Sequence, residues 1–179
     1  MTMPTSFKSA SPFEPGRSAR RAWIVAACLL LSALVPATDA GAVAVVVNPS
    51  VNVDDLSFAE FRRIMLADRQ FWATGQPITL IVRAPVALER TVLLERVYRM
   101  SEARYREYWV AKVFRGEASD GPRLVLSSEE ALDLVGVIDG AITVVDADDV
   151  PEGLKVLRID GLLPSQAGYA LPAPEGKRR

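Results

Sequence analysis

The chain has 179 residues, of which 21 are Lys or Arg and 22 are Asp or Glu, so its formal net charge is −1. It has no histidine and a single cysteine, Cys28. These counts exclude an intrachain disulfide framework, an imidazole metal site and a Ser-His-Asp triad. The even charge balance also argues against nucleic-acid binding, which needs a basic surface. We therefore expect no enzymatic activity, no metal site, no cofactor and no nucleic-acid partner.

The predicted signal peptide covers residues 1–42. Three arginines between residues 17 and 21 precede the apolar run Ala22–Val35, and small residues follow around Ala40. The apolar run is shorter than the ~20 residues of a membrane-spanning helix. A twin-arginine signal and a lipoprotein box ending at Cys28 are alternatives, although a lipobox should end the apolar run and most of this run follows Cys28. Cleavage of the signal would release the protein into the periplasm.

Strands and helices alternate through residues 43–160, which we predict to form one globular domain with a real core. The alternation predicts an α/β domain whose mostly parallel sheet is flanked by helices. Residues 161–179 are predicted to form a C-terminal tail that is frayed from Leu171 onward. The predicted elements are a strand at 42–47, a helix from Ser57, a strand at 78–82, a helix after Pro85, a helix after Ser101, a strand at 124–126, a helix from Ser127, and strands at 140–145 and 154–159.

Three serines are predicted to begin helices. Ser57 with Glu60, and Ser127 with Glu130, have the spacing of a capping box, in which each side chain bonds to the backbone amide of the other residue. Ser101 follows a break in the helical pattern and is predicted to be an N-cap. The starts of these three helices are therefore expected to be set by local hydrogen bonds.

The aromatic residues are predicted to pack in the core. Tyr105, Trp109 and Val113 recur at four-residue intervals, which indicates one buried stripe on a helix. Trp72 and the pair Tyr108-Trp109 could instead stack on a sugar or another flat ligand. Because their spacing matches a helical stripe, we favour packing over ligand stacking.

The stretch that starts at Leu56 carries the strongest pattern in the chain. It begins LSFAEFRRIMLADRQFWATGQPITLIVRAP and closes MSEARYREYWVAKVFRG. This succession of helix, aromatic turn, strand, Arg-Pro loop and Tyr-Trp helix resembles the short, stand-alone relatives of the phosphate-binding component of ABC transporters, over roughly residues 45–159. The resemblance implies a single periplasmic-binding-protein-like lobe. It also implies an exported solute-binding-like protein related to phosphate or anion uptake by an ABC-type system.

Two arginines are the first candidates for anion binding. Arg83 ends a predicted strand, and Arg90 lies near the start of the next helix, where free amides attract anions. At the matching loop the resembling family has Arg-Pro, then a serine that would contact the anion, then an arginine. Ala87 stands in place of that serine, and Thr91 is the nearest substitute hydroxyl. We therefore expect weak binding of phosphate or sulfate.

The alternative for Arg83 and Arg90 is a structural one. Surface arginines are common, and these two could be solvated or paired with Glu89 or Glu95. In that case neither guanidinium would be available to a ligand.

Asn48 and Ser50 complete the predicted site. They flank Pro49 directly after the first predicted strand, and ligands of open α/β sheets bind beyond the carboxyl ends of strands. We predict that these two side chains meet Arg83, Arg90 and Thr91 at one mouth. An ordinary turn built from Asn, Pro and Ser is the alternative.

Two features around the predicted strand at 140–145 argue against a ligand site there. The resembling family usually has Gly-Ala-Ile-Gly-Tyr here, and this chain keeps Gly140-Ala141-Ile142 but then has Thr143-Val144. The missing glycine predicts that the backbone comes less close to a ligand. Three acidic residues between Asp146 and Asp149 are predicted to be a solvated turn rather than a calcium site, because no loop of suitable length surrounds them.

Two functions remain open from the sequence. The first is an exported anion-binding module with a membrane or envelope protein partner. The second is a ligand-free interaction or structural protein of the cell envelope that keeps only the fold. A single lobe leaves a bound anion open to water, which weakens every contact, so tight phosphate scavenging is not expected.

Overall fold

The computed structural model describes residues 42–173. The predicted signal peptide therefore lies outside the described residues except for Ala42, and so do residues 174–179. None of the helices in the described part has the length and hydropathy of a membrane span.

The described domain contains seven short strands and four main helices. The strands are β1 (Val43–Val47), β2 (Asp55–Leu56), β3 (Thr79–Arg83), β4 (Arg123–Val125), β5 (Ala141–Asp146), β6 (Lys155–Val156) and β7 (Arg158–Ile159). The helices are α1 (Phe58–Met65), α2 (Leu88–Val92), α3 (Glu102–Phe114) and α4 (Ser128–Val137), with a π-helical continuation of α2 at Leu93–Tyr98 and a 3-10 turn at Ala147–Asp149.

Five strands form the main sheet, in the order β4-β3-β5-β1-β6. Strand β3 is parallel to both of its neighbours, β4 and β5, whereas β1 is antiparallel to β5 and to β6. Strand β6 therefore runs in the same direction as β3, β4 and β5, and only β1 is reversed. Helices connect β3 to its neighbour β4 and, across β3, connect β4 to β5, as parallel strands require. The prediction of an α/β fold with a mostly parallel sheet is confirmed.

Strand β1 lies at the centre of the hydrophobic core. All five of its residues are buried, because the sheet is covered on both faces. Val43, Val45 and Val47 belong to one core cluster, with α1, the π-helical segment and α3. Ala44 and Val46 face the second cluster, which packs under α4. The nearly all-apolar sequence of the strand follows from this two-sided burial.

The local hydrogen bonds at the helix starts are largely as predicted. Ser57 and Glu60 form both bonds of a capping box, and the Ser101 hydroxyl accepts from the Arg104 amide. At α4 the Ser127 hydroxyl accepts from the Glu130 amide. The Glu130 carboxylate, however, accepts from the amide of Leu126, not from that of Ser127. The second capping box is therefore only half formed.

The predicted stripe on α3 is right for Tyr105 and Trp109 but wrong for Val113. Both aromatic residues are buried, whereas Val113 is 37% exposed and Lys112 is buried in its place. A helix turns by about 100° per residue, so the eighth residue after Tyr105 lies about 80° off the stripe and the seventh only about 20°. The four-residue spacing drifts away from the core over two steps, and Lys112 lies closer to the stripe.

Burying Lys112 requires partners for its ammonium group. Its Nζ donates to Asp68 Oδ1 at 2.6 Å and to the Tyr108 hydroxyl at 2.9 Å. Burial alone would lower the pKa of Lys112, but these hydrogen bonds outweigh it and raise the pKa. The lysine therefore stays charged and ties α3 to the turn after α1.

Two predictions near the C-terminus are wrong. The strand predicted at 154–159 is split, because β6 pairs with β1 whereas β7 pairs in parallel with β2 in a separate two-stranded sheet. Leu171 is not frayed, since it is fully buried and its carbonyl accepts from the Val43 amide at 3.2 Å. Apolar packing and the pairing of Pro172 with Ala42 hold this part of the tail on the domain.

Candidate functional site

Arg83 lies at the carboxyl end of β3, next to the loop that leads into α2. The Ala84 amide donates to Val125 O at 2.9 Å, which holds the loop against the edge strand β4. Ala87 is the N-cap residue of α2, and its side chain makes no capping hydrogen bond. The first amides of α2 therefore have no side-chain acceptor at this end of the helix.

The Arg83 guanidinium is mostly buried but makes no hydrogen bond within the described part of the chain. Its side chain is 15% exposed, and its Nε and Nη1 atoms are buried without a partner. The nearest carboxylate is that of Glu89, whose Oε1 lies 3.7 Å from Arg83 Nε, beyond hydrogen-bond distance. Glu89 itself is 6% exposed and accepts a bond from the Ser128 hydroxyl at 3.3 Å. Arg83 thus has a neighbouring negative charge and two unused donors.

The Arg90 guanidinium, by contrast, is hydrogen-bonded to a carboxylate through two of its three nitrogens. Its Nε and Nη2 donate to the two carboxylate oxygens of Glu102 at 3.0 and 2.9 Å. Its Cζ also lies 3.8 Å from the centre of the Tyr105 ring, and its side chain is only 4% exposed. Burial lowers the pKa of Arg90, but its interactions with Glu102 and Tyr105 outweigh burial and raise it.

Thr91 is also committed within α2. Its hydroxyl donates to the Ala87 carbonyl, one helical turn earlier, at 3.2 Å. Thr91 therefore has no free donor, and Arg90 keeps only Nη1, which is buried without a partner among the described residues. The structural alternative holds for the other two nitrogens of Arg90, with Glu102 as their partner in place of Glu89 or Glu95.

Asn48 and Ser50 lie at the end of the sheet where β3 begins, whereas Arg83 lies where β3 ends. Asn48 lies beside the amino end of β3. Its backbone N–H donates to Ala141 O, and Ala141 pairs with Thr79 at the start of β3. Four residues of strand separate Thr79 from Arg83, which is roughly 13 Å. The prediction of one mouth formed by all five residues is therefore wrong. The reason is that β1 runs antiparallel to β3, so its carboxyl end meets the amino end of β3.

The side chains of Asn48 and Ser50 build a turn. Asn48 Nδ2 donates to Val135 O at 2.8 Å and to Gly136 O at 3.1 Å, and its Oδ1 accepts from the Ser50 amide. The Ser50 hydroxyl accepts from Gln76 Nε2 at 3.0 Å. Asn48 therefore anchors the end of β1 to the end of α4, which matches the turn alternative.

Gly140 is needed for close packing. Its φ is +73°, and a Cβ atom there would lie 2.3 Å from Pro77 O. The indole N–H of Trp72 donates to the Gly140 carbonyl at 2.9 Å, so Trp72 packs in the core as predicted. Thr143, which replaces the second glycine of the family pattern, is fully buried and donates to Ile81 O. The backbone at this strand is thus covered by protein.

The acidic residues after β5 form a short turn. The Asp146 carboxylate accepts from the Asp148 amide and caps the 3-10 turn at Ala147–Asp149. Between residues 42 and 173, no three His, Cys, Asp or Glu side chains are placed to hold one metal ion.

Sequence reasoning missed two residues of this region, Glu102 and Ser128. Glu102 lies 12 residues after Arg90, beyond the left-handed residue Arg99 that ends the π-helical segment. Ser128 lies 39 residues from Glu89. No local spacing rule relates such residues, so only the packing of α2 against α3 and α4 could reveal them.

No protein-family model matches the sequence, and no curated protein matches it. Solved structures, however, match its fold. They include an ABC-type phosphate transport receptor from Vibrio cholerae, with a TM-score of 0.56 and 16% identity over 69% of this chain and 48% of that one. The PstS structure from Borrelia burgdorferi has a TM-score of 0.57 and 12% identity over 74% and 55%.

The described domain has the fold of a periplasmic-binding-protein-like lobe. A phosphate-binding protein from Stenotrophomonas maltophilia also matches it, with a TM-score of 0.52 and 14% identity over 69% of this chain and 40% of that one. This chain spans about half the length of these proteins. At these identities the similarity establishes the shared fold, and the resemblance drawn from the Arg-Pro loop and the Tyr-Trp helix is confirmed at that level.

Proposed function

We propose that this protein is an exported, single-lobe solute-binding protein that holds a small inorganic oxyanion, phosphate or sulfate, at Arg83. The observation that carries the proposal is the pair of buried Arg83 donors, Nε and Nη1, that lack a partner among the described residues. Guanidinium donors in a fixed fork suit a tetrahedral oxyanion. The first turn of α2, which has no side-chain cap, adds backbone amides beside them.

The affinity of this site is expected to be weak for three reasons. The Glu89 carboxylate lies 3.7 Å from Arg83 and repels a second anion. Ala87 offers no hydroxyl at the N-cap. A single lobe also leaves one side of the ion in water, where hydration competes with the protein contacts. The expected dissociation constant is therefore on the order of 100 μM or weaker, which corresponds to roughly 5 kcal/mol.

The second candidate is a ligand-free interaction or structural protein of the cell envelope. It is favoured by the engagement of Arg90 with Glu102 and by the counter-charge that Glu89 supplies to Arg83. In this case Glu89 takes the place of the anion as the neighbour of the guanidinium. The protein would then use the lobe as a scaffold for a membrane or envelope partner.

Neither candidate involves a reaction. The structures of similar fold are described as transport receptors and binding proteins. A role beside the membrane components of an ABC-type uptake system is part of the proposal, and so is a periplasmic location.

Calorimetric titration of the mature protein with phosphate and with sulfate separates the two candidates. Weak binding by the native protein that is abolished in Arg83→Ala supports the anion site. Ala87→Ser should tighten binding, because one hydrogen bond to a charged group contributes ~1.5–3 kcal/mol, or roughly ten- to a hundred-fold. Arg106→Ala is the matched control, since Arg106 is exposed on α3 and makes no described contact.

The absence of binding in both the native and the Ala87→Ser proteins would contradict the anion site. It would favour the ligand-free interaction or structural protein. Circular dichroism of Arg83→Ala checks that a lost signal does not reflect unfolding. A pull-down from envelope extract with the native protein then tests the partner directly.

Export is tested separately by N-terminal sequencing of protein recovered from the periplasm. The first residue should lie close to Gly41 or Val43. Cys28→Ser should leave release unchanged, since the lipobox is interpreted as accidental. An intact Met1 on membrane-embedded protein would contradict the proposed location.

A further inference from the structure

A cavity lies at the amino end of β3, at the other end of this strand from Arg83. Its volume is about 490 Å³. It is enclosed by the turn after α1, the first residues of β3 and β4, helix α3 and the loop at residues 118–123. Pockets that take small organic molecules usually have a volume of about 300–1,000 Å³, so the space is large enough for one such ligand.

Part of the wall of this cavity is apolar. Ile64 and Trp109 are buried side chains of α1 and α3, and Leu80 belongs to β3. Phe71 also lines the cavity, and more than half of its side chain is exposed. Exposed aromatic area beside a buried apolar wall gives a ligand tail a surface to cover.

The walls are held in place by hydrogen bonds. Gln70 Nε2 donates to Ala67 O at 3.3 Å and to Glu117 O at 2.7 Å, which joins the turn after α1 to the loop after α3. The Ile78 amide donates to Gln70 O at 2.8 Å and closes the turn on β3. The cavity is therefore formed before any ligand enters.

The rim carries two arginines and one aspartate, Arg69, Arg123 and Asp120. Arg69 is engaged, with Nε bonded to Phe71 O at 3.1 Å and Nη1 lying 3.7 Å from Glu60. Arg123 is exposed and forms no ion pair or side-chain hydrogen bond with any residue between 42 and 173. Its guanidinium is therefore available to an acceptor.

We propose that this cavity binds a small amphipathic carboxylate, an aliphatic or aromatic monoacid, with its carboxylate on Arg123 and its apolar part against Leu80, Phe71 and Trp109. The Arg123 guanidinium suits one carboxylate, because a guanidinium binds a carboxylate through two parallel hydrogen bonds. An inorganic ion would leave the apolar wall without a partner. A fully apolar ligand would leave Arg123 unused.

This site does not depend on the proposed oxyanion site. Arg123 pairs in register with Ile81, whereas Arg83 lies two residues further along β3, and the cavity is lined by the residues before Ile81. Substitution of Arg83 should therefore leave carboxylate binding unchanged, even if no oxyanion binds anywhere.

The test is calorimetric titration of the mature protein with phenylacetate, phenylacetamide and acetate. Phenylacetate should bind, whereas removal of its charge in phenylacetamide or of its ring in acetate should weaken binding at least tenfold. Arg123→Ala should weaken phenylacetate binding by roughly ten- to a hundred-fold, the effect of one charged hydrogen bond. It should leave phenylacetamide binding unchanged. Arg106→Ala and Arg83→Ala are the controls and should bind phenylacetate as the native protein does.

A substitution at the mouth tests the location. Ser119 is exposed on the lining loop, so Ser119→Trp should block the cavity and abolish binding while leaving the unfolding midpoint close to the native value. No phenylacetate binding by the native protein would overturn the proposal. Equal binding by the Arg123→Ala or Ser119→Trp variants would overturn it as well, because the ligand would then lie elsewhere.

Discussion

Arg83 and Arg90 are seven residues apart and both lie next to a glutamate, yet their environments differ. Arg90 donates two hydrogen bonds to Glu102 and stacks on the Tyr105 ring. Arg83 has Glu89 at 3.7 Å but makes no hydrogen bond to it. Arg90 is held in the helix packing with one buried donor, Nη1, left without a partner, whereas Arg83 makes no hydrogen bond among the described residues and has two such donors.

The difference shows that a nearby carboxylate does not by itself occupy the hydrogen-bond donors of a guanidinium. A bidentate bond needs both groups to share a plane at about 2.9 Å, and Glu102, the first residue of α3, reaches Arg90 in this way. Glu89 lies on α2 itself and bonds to Ser128 of α4. Its orientation leaves Arg83 Nε beyond hydrogen-bond distance.

The largest expected effect comes from removing the support of the Arg90 region. Trp109 packs edge-on against Tyr105, with ring centres 6.1 Å apart, and Tyr105 carries Arg90 on its face. Trp109→Ala should cost about 3–5 kcal/mol of unfolding free energy, as large cavities in cores do. That is a large share of the ~5–15 kcal/mol of a typical domain. A denaturant midpoint close to the native value would show that Trp109 is not a core residue.

The next effect is that of Glu102→Gln. It removes the charge that compensates Arg90, whose side chain is almost fully buried, and should destabilise the domain by about 3 kcal/mol. Glu95→Gln is the matched control, because Glu95 is exposed on the same stretch of chain and should change the unfolding free energy by less than about 0.5 kcal/mol. Equal effects of the two substitutions would show that the Glu102 carboxylate does not stabilise the buried Arg90.

Helix capping provides a third and smaller test. Helix α3 is capped by Ser101, whereas α2 begins at Ala87 without a side-chain cap. Ser101→Ala should therefore cost about 1 kcal/mol, and Ala87→Ser should add a comparable amount, measured by thermal unfolding. A destabilising Ala87→Ser would mean that the first amides of α2 already have an acceptor.

The smallest expected effect is the coupling between Arg83 and Glu89. A double-mutant cycle with Arg83→Met and Glu89→Gln should give about 1 kcal/mol, because no hydrogen bond joins the pair. The same cycle with Arg90→Met and Glu102→Gln should give at least twice that value. If both cycles return the same coupling, Arg83 is as fully paired as Arg90, and its role as an anion site loses its basis.

The sequence by itself determined the features that depend on near neighbours. The Ser57 capping box, the Ser101 cap and the alternation of strands and helices follow from hydrogen bonds and apolar spacing within a few residues. The burial of β1 on both faces was also visible, because Val43–Val47 has no polar residue to turn toward water. These features need no knowledge of distant partners.

Only the tertiary structure decided the composition of the site. Because β1 runs antiparallel to β3, Asn48 and Ser50 lie near the amino end of β3, away from Arg83. Strand direction is set by pairing across the sheet rather than by local sequence. Glu102 binds Nε and Nη2 of Arg90 from 12 residues away and leaves only Nη1 unpartnered, whereas Arg83 has two unpartnered donors. Contacts between residues distant in sequence depend on how whole elements pack. That is why the arrangement of the candidate residues could not be predicted from the sequence.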